Sequence, residues 1–408
     1  MEVVSSPIFM NDNQTNEIRR RRRVRRTLLV VLLLCVAAVV LFGVLPPKFD
    51  REANAVVDAG PYLASPRADS LNARLTIVDL HSDQLLWNRP TEVRADRGQV
   101  DLPRLEEGNV ALEVFSAVTK SPFGQNTYSN AGDSDRITAL VILQRWPVRT
   151  WSSLTERALY QAEKLGRAAS ASNGRLRVIQ SRSDLDTLLA DRAAGVNVTG
   201  GLLAIEGLHA MEGSIDGYER LVNAGYRMMS ITHFFDTELG GSAHGRVKGG
   251  LTDLGRETIG RMLEDGIVID VAHVSPKSID DILGMATAPV VASHTGVDGT
   301  CPSPRNLSDE QIDGIAATGG VIGIGFWDAA VCGTDPADIA RAMRYVADRV
   351  GVEHVAVGSD YDGSVVTGFD VSGMALLTEA LVNEGFADDE IRLIMGDNAI
   401  RVLRAVLK

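Results

Sequence analysis

Several short apolar runs in this 408-residue chain end in side chains that hold metal ions or move protons. Ile77-Val78-Asp79-Leu80-His81-Ser82-Asp83 offers His81 and Asp83, and Leu203-Ala204-Ile205-Glu206 ends in a carboxylate. Ile269-Asp270-Val271-Ala272-His273 and Val290-Val291-Ala292-Ser293-His294 each end in an imidazole. Alternate residues of a strand point the same way, so His81 and Asp83 can face one ion together. Two carboxylates and three imidazoles suit one or two divalent metals, with Zn²⁺ the default for a histidine-rich N/O set. Glu206 at the end of an apolar run is hard to explain as core, because an unpaired buried charge is costly. It has the reach to bridge two ions, and an ion pair with a rim arginine is the plainer alternative. A lone histidine after an apolar run is more often a hydrogen-bonded core residue, but His273 and His294 on successive runs shift that balance. Asp79 reads as support for His81.

Asp360, in Val-Ala-Val-Gly-Ser-Asp-Tyr-Asp-Gly, is the candidate general base and acid beside a metal site, with Asp362 its competitor. His233 closes Met-Met-Ser-Ile-Thr-His and has the chemistry to steady a carbonyl oxygen or its oxyanion. The planar fork of Arg305, in a proline-rich loop, suits a substrate carboxylate. His209 and His244 fall in loops on the same rim, and His354 opens the last run at the opposite, structural end. Cys301 and Cys332 follow successive runs. A disulfide between them is permitted outside the cytoplasm, and zinc ligation is the alternative, although neither cysteine sits in a CxxC pair.

Residues spread over more than two hundred positions converge only if the elements carrying them open onto one face. A (β/α)₈ barrel does this at its strand C-termini. Candidate strands are 75–81, 109–117, 201–206, 226–232, 267–273, 289–294, 320–326 and 354–360, and their nearly uniform apolar character suits strands buried on both faces. Helix signals fall between them: the capping-box pattern Ser308-Asp309-Glu310-Gln311, Ser275 before Pro276, and a stretch from Thr252 that stops at Gly266. Residues 134–172 read as a helical insertion over the rim. A doubly wound sheet is the alternative, but it collects its site at one switch point.

The N-terminus is a separate region. Residues 19–26 read Arg-Arg-Arg-Arg-Arg-Val-Arg-Arg, and Thr27 to Leu45 carry no charge, a length that spans a bilayer as a helix. The basic block should stay in the cytoplasm and the rest of the chain outside, periplasmic in a bacterium. The expected division is a cytoplasmic segment 1–26, a transmembrane signal-anchor 27–45, a linker 46–70 and a catalytic domain 71–408. A cleaved signal peptide is the rival reading and exports the same domain. Of the 41 basic and 53 acidic residues, eight and three lie in 1–49, leaving 33 against 50, a balance of −17. So acidic a body has no electrostatic footprint for nucleic acid.

With these residues in place, the chain from about 75 to 405 resembles the membrane dipeptidase family of zinc peptidases. The resemblance rests on Asp-Leu-His-Ser-Asp, Asp101-Leu102-Pro103-Arg104-Leu105, Ile-Glu-Gly, Ile231-Thr232-His233, Ile-Asp-Val-Ala-His-Val-Ser, Ala-Ser-His-Thr, Arg305-Asn306 and Gly358-Ser-Asp-Tyr-Asp-Gly, with Met395-Gly396-Asp397-Asn398-Ala399 near the end. It implies a metal-dependent barrel with two Zn²⁺ ions bridged by Glu206. One ion would take His81 and Asp83 and the other His273 and His294. It casts His233 and Arg305 as substrate binders and Asp360 as acid and base, favours a Cys301–Cys332 disulfide, and makes a homodimer plausible. The chain departs from the family pattern at Ser82, where animal members often carry Asn, and at Glu113, where relatives often carry Gln. Its N-terminal span also contrasts with the C-terminal lipid anchor of animal members.

The expected activity is hydrolysis of a dipeptide, or a similar small amide with a free carboxylate, by a membrane-anchored enzyme. Another metal-dependent barrel hydrolase, acting on lactones, phosphoesters or N-acyl amino acids, shares the metal chemistry. A non-catalytic tethered binding protein would be marked by loss of a ligand or of the acid/base, and none is missing here.

Overall fold

The computed structural model describes residues 11–408, so the first ten residues of the expected cytoplasmic segment lie outside the described residues. The described chain forms two compact units that divide between Lys48 and Phe49. The helical stretch Asp12–Ala53 is long and apolar enough to cross a membrane, a property shared by anchors and signal sequences. Its arginines at 19–23, 25 and 26 are all exposed.

Residues 46–70, expected as a linker, are in large part built into the second unit. Asp50 and Asn54 are buried. The amide of Val57 donates to the carbonyl of Thr367 at 2.9 Å. Helix Pro66–Asn72, capped by Ser65, buries Ala68 and Leu71.

Nine strands follow: β1 (Ile77–Ser82), β2 (Val110–Val118), β3 (Leu176–Ile179), β4 (Thr199–Glu206), β5 (Tyr226–Ser230), β6 (Val268–Asp270), β7 (Val291–Thr295), β8 (Val321–Ile324) and β9 (Val355–Val357). Every ladder is parallel, and the order β2-β1-β9-β8-β7-β6-β5-β4 closes on itself through β2–β4. This is the closed eight-stranded barrel that the eight apolar runs predict. All residues of β1, β2 and β4 are buried, as strands covered on both faces must be.

The ninth strand, β3, has no counterpart in the expected set. It pairs with the first half of β4, Leu176 opposite Thr199 through Ile179 opposite Leu202, while β5 pairs with β4 from Leu203 onward. β3 therefore fills a gap outside the ring. Before it, the inserted region carries helices Arg136–Leu143 and Leu154–Ala171.

The helix signals at Ser308, Ser275 and Thr252 are all used as N-caps, and the capping box at Ser308 and Gln311 is formed on both sides. Gly266 ends its helix in the left-handed region, at φ 72°. Strands β5, β6, β8 and β9 all end before their apolar runs do. β6 stops at Asp270 and β9 at Val357, so His273 and Asp360 lie beyond the ladders rather than within them. There the chain turns out of the barrel, with His273 at φ 63° and Asp360 and Asp362 both at φ 62°. Left-handed backbone is uncommon for residues other than glycine, and it concentrates where a site fixes the chain.

Candidate metal centre and active-site cavity

Glu206 is the meeting point of the barrel mouth. It is the last residue of β4 and is followed by Gly207 at φ 83°. A Cβ at position 207 would run into the His209 ring, so the glycine lets the backbone turn beneath it. Oε1 of Glu206 lies 2.9 Å from Nε2 of His81, 3.2 Å from Nε2 of His294 and 3.5 Å from Nε2 of His273. Its Oε2 lies 2.9 Å from Nε2 of His233. Asp83, just past β1, brings Oδ1 within 3.6 Å of His81 Nε2. The five residues expected as ligands therefore converge from β1, β4, β7 and the turn after β6, all buried.

These contacts suit a cation better than they suit one another. Nε2 of His81, Oδ1 of Asp83 and Oε1 of Glu206 are buried without a hydrogen-bond partner. Atoms so placed are costly unless something else satisfies them. Sets of three donors, His81 with Asp83 and Glu206, and Glu206 with His233 and His273, each lie within 4.8 Å of one another. Nitrogen and carboxylate oxygen in such sets fit Zn²⁺. Burial opposes ionisation of Glu206, but the His233 and His81 rings outweigh it and hold its carboxyl well below the usual range.

A layer behind the ligands escaped the sequence reading. Asp270 at the end of β6 accepts from the amides of Ala272 and Ser293, both at 2.9 Å, and from Ser293 Oγ at 2.6 Å. That hydroxyl is 2.8 Å from His294 Nδ1 and 3.4 Å from His81 Nδ1. His244 sits with Nε2 3.1 Å from His273 Nδ1 and its own Nδ1 2.7 Å from the carbonyl of Thr127. Partners of this kind fix the orientation of metal-binding imidazoles. The available signal was the carboxylate within Ile269-Asp270-Val271, an acid inside an otherwise apolar run.

The remaining sequence candidates separate cleanly. A cavity of about 120 Å³ is lined by Asp83, Glu206, His233, His273, Arg305 and Asp360. Burial, reinforced by Asp83 and Glu206, pushes the Asp360 carboxyl well above its ordinary range despite the opposing pull of His81. Asp362 turns away: it is fully buried, accepts from the amides of Gln99 and Val100, and pairs with Arg89 at 2.7 Å. Arg305 donates to the carbonyl of His294 at 2.6 Å and to Thr295 Oγ1 at 3.2 Å. His209 meets Thr119 at 3.0 Å outside the cavity lining, whereas His244 lines it. His354 bonds the carbonyl of Gly320 at 2.7 Å, immediately before β9.

Glu113 lies opposite Asp79 in the β1–β2 register, fully buried with neither oxygen hydrogen-bonded. Burial and the Asp79 charge push its carboxyl well above the usual range. Cys301 and Cys332 are bonded to one another, with Cα atoms 5.4 Å apart.

Comparison with known proteins places this geometry in context. The family model described as Membrane dipeptidase (Peptidase family M19) matches residues 65–408. Dipeptidase verJ of Clonostachys rogersoniana is 32% identical over 212 residues, a match covering 50% of this chain and 55% of that protein, so the aligned region spans about half of that relative. Dipeptidase tcpJ of Claviceps purpurea is 27% identical over 321 residues, covering 76% of this chain and 69% of the relative. Among solved structures, a metallo peptidase described as dipeptidase AC superposes with a TM-score of 0.69 at 25% identity, covering 82% of this chain and 99% of that one. A metallo peptidase from Rhodobacter sphaeroides, solved with a phosphinate mimic of L-Ala-D-Ala, shares the fold with a TM-score of 0.68 at 24% identity, covering 81% and 99%.

Proposed function

Since the chain belongs to the membrane dipeptidase family, peptidase family M19, we propose that it hydrolyses the peptide bond of dipeptides at a two-zinc centre. The observation that carries this reading is the convergence of three imidazole nitrogens on one oxygen of Glu206, at the wall of a cavity shared with Asp360 and Arg305. His81 and Asp83 would hold one ion, His273 and His294 the other, and Glu206 both. Such ions, when bound, lower the pKa of water and act as Lewis acids toward a carbonyl.

The chain's own groups do the rest. Asp360, on the wall of the same cavity, takes a proton from the attacking water and returns it to the leaving amine. His233 donates to the oxygen that gains charge as the carbonyl is attacked. Arg305 grips the substrate's C-terminal carboxylate with the face of its guanidinium fork not committed to His294 and Thr295. A carboxylate bound that close to the reacting carbon favours very short peptides. The apolar helical stretch Asp12–Ala53 would tether the enzyme to a membrane, with the arginine block on the cytoplasmic side and the barrel outside.

The deciding experiment measures metal content and hydrolysis of simple dipeptides on the full-length protein in detergent, before and after chelation. About two zinc ions per chain, with turnover lost to chelator and regained with Zn²⁺, is the expected result. A folded sample with neither metal nor turnover overturns the proposal.

A further inference from the structure

The active-site cavity holds a second guanidinium that the mechanism above does not use. Arg136 is the first residue of helix Arg136–Leu143, in the inserted region after β2, and its side chain lines the same cavity as Glu206, Arg305 and Asp360. It is half-buried, and among the described residues no carboxylate pairs with it and no side chain or carbonyl accepts from its guanidinium. Its neighbour Asp135 is fully engaged elsewhere, with Arg157 at 2.6 Å, with Thr138 at 2.7 Å and with the amide of Ile137 at 2.9 Å. A partly desolvated cation without a partner is costly and calls for an anion.

The barrel fixes where that anion must come from. In the ring β1-β2-β4-β5-β6-β7-β8-β9, β2 and β7 stand opposite one another. Arg136 follows β2 and Arg305 follows β7, with the Glu206 cluster between them. If Arg305 takes the C-terminal carboxylate and the scissile carbonyl lies at the cluster, the group reaching Arg136 belongs to the amino-terminal residue.

A second, almost wholly apolar cavity of about 200 Å³ adjoins the first. It shares Leu86, Arg136, Ile137 and Ser364 with it and is completed by residues that include Trp87 and Leu140. A side chain directed at Arg136 would lay its methylenes against this apolar wall and its charge on the guanidinium.

We propose that Arg136 and the adjoining apolar wall form a subsite for an acidic amino-terminal residue, so that the enzyme prefers dipeptides beginning with Glu or Asp. The inference rests on the dipeptidase reading. The main-chain carboxylate of any dipeptide satisfies one guanidinium, and only a second carboxylate satisfies both.

The test compares Glu-Ala with its neutral isostere Gln-Ala on the zinc-loaded full chain, in the native protein and in Arg136→Gln and Arg136→Lys. The native enzyme should favour Glu-Ala in kcat/KM by roughly ten- to a hundredfold, the range of a hydrogen bond between charged groups. That ratio should collapse toward one in Arg136→Gln and be retained in part in Arg136→Lys, which keeps the charge without the fork. Equal turnover of the two peptides by the native enzyme, or an unchanged ratio in a folded Arg136→Gln, overturns the proposal. If neither peptide is cleaved, the dipeptidase reading fails, and calorimetric binding to the same proteins still decides the subsite. Tighter binding of Glu-Ala that is lost in Arg136→Gln supports it; equal or absent binding refutes it.

Discussion

The Nε2 atoms of His273 and His294 stand 3.0 Å apart. At most one proton fits between them, and both rings also face Oε1 of Glu206. Like-natured lone pairs brought together in a buried site are held there at a cost to the fold unless a cation joins them. Metal removal should therefore lower stability as well as activity. A ligand at a thousandfold its dissociation constant adds about 4 kcal/mol. Melting curves with and without chelator, and after return of Zn²⁺, should show a lower transition that Zn²⁺ restores. Glu206→Gln should abolish that response. A melting temperature indifferent to chelator would count against a metal at this cluster.

Asp360 offers a cleaner separation of chemistry from folding. Its backbone is left-handed, at φ 62°, and a Cβ at Gly363 would strike its carboxylate, so the local chain is built around this side chain. Asn tolerates left-handed backbone, so Asp360→Asn keeps the turn while removing the proton carrier. We expect kcat to fall by roughly 10²- to 10⁴-fold. Zinc content and melting temperature should stay close to those of the native protein. A variant that loses metal in proportion to activity would recast Asp360 as a ligand.

The barrel was legible because its eight ring strands are buried on both faces, and that leaves long apolar runs such as Val110–Val118. β3 was not, since Leu176-Arg177-Val178-Ile179 carries a charged residue and is half-buried at its centre. The convergence on Glu206 was legible in part, because several acids and imidazoles each close an apolar run, a recurrence that core packing alone does not explain. What periodicity could not convey is the backbone beyond the ladder. His273 and Asp360 reach the cavity through left-handed turns, while Asp362 is held away from it by Arg89. Asp270 and Ser293 were hidden for another reason: they act on the ligands through hydrogen bonds between strands, which no one-dimensional pattern encodes.

From Phe49 onward the chain belongs to the barrel unit, and Asp50 is tied into it. Asp50 pairs with Arg89 at 3.0 Å and with Arg97 at 2.8 Å, and Arg89 in turn holds Asp362, two residues after Asp360. Asp50, Arg89 and Asp362 are all buried. Removing one member of a buried pair strands its partner, at about 3–5 kcal/mol. Because Arg89 keeps Asp362, Asp50→Ala should fall at the lower end of that range. Denaturant unfolding of the barrel checks this, and a shift within about 0.5 kcal/mol, as for an ordinary surface change, would mark the segment as passive.

Lys164 predicts how stability should follow pH. Its amine donates to the carbonyl of Leu85 at 2.6 Å and to that of Trp87, directly behind the turn that carries Asp83, and lies 5.3 Å from the centre of the Trp146 ring. Burial, aided by the charges of Arg89 and Arg167, pushes the amine down to about 7. Below that pH both folded and unfolded chains carry the proton, and this group adds no slope. Between about 7 and the ordinary lysine value of about 10.4 the unfolded chain binds more protons, so stability rises with pH by at most about 1.4 kcal/mol per unit. Lys164→Met keeps the stem and removes the titration. The difference in unfolding free energy between native protein and variant should therefore drift in favour of the native protein from pH 7 to 10. A difference that stays flat, or drifts the other way, would mean that the two carbonyls hold the ammonium charged and outweigh its burial.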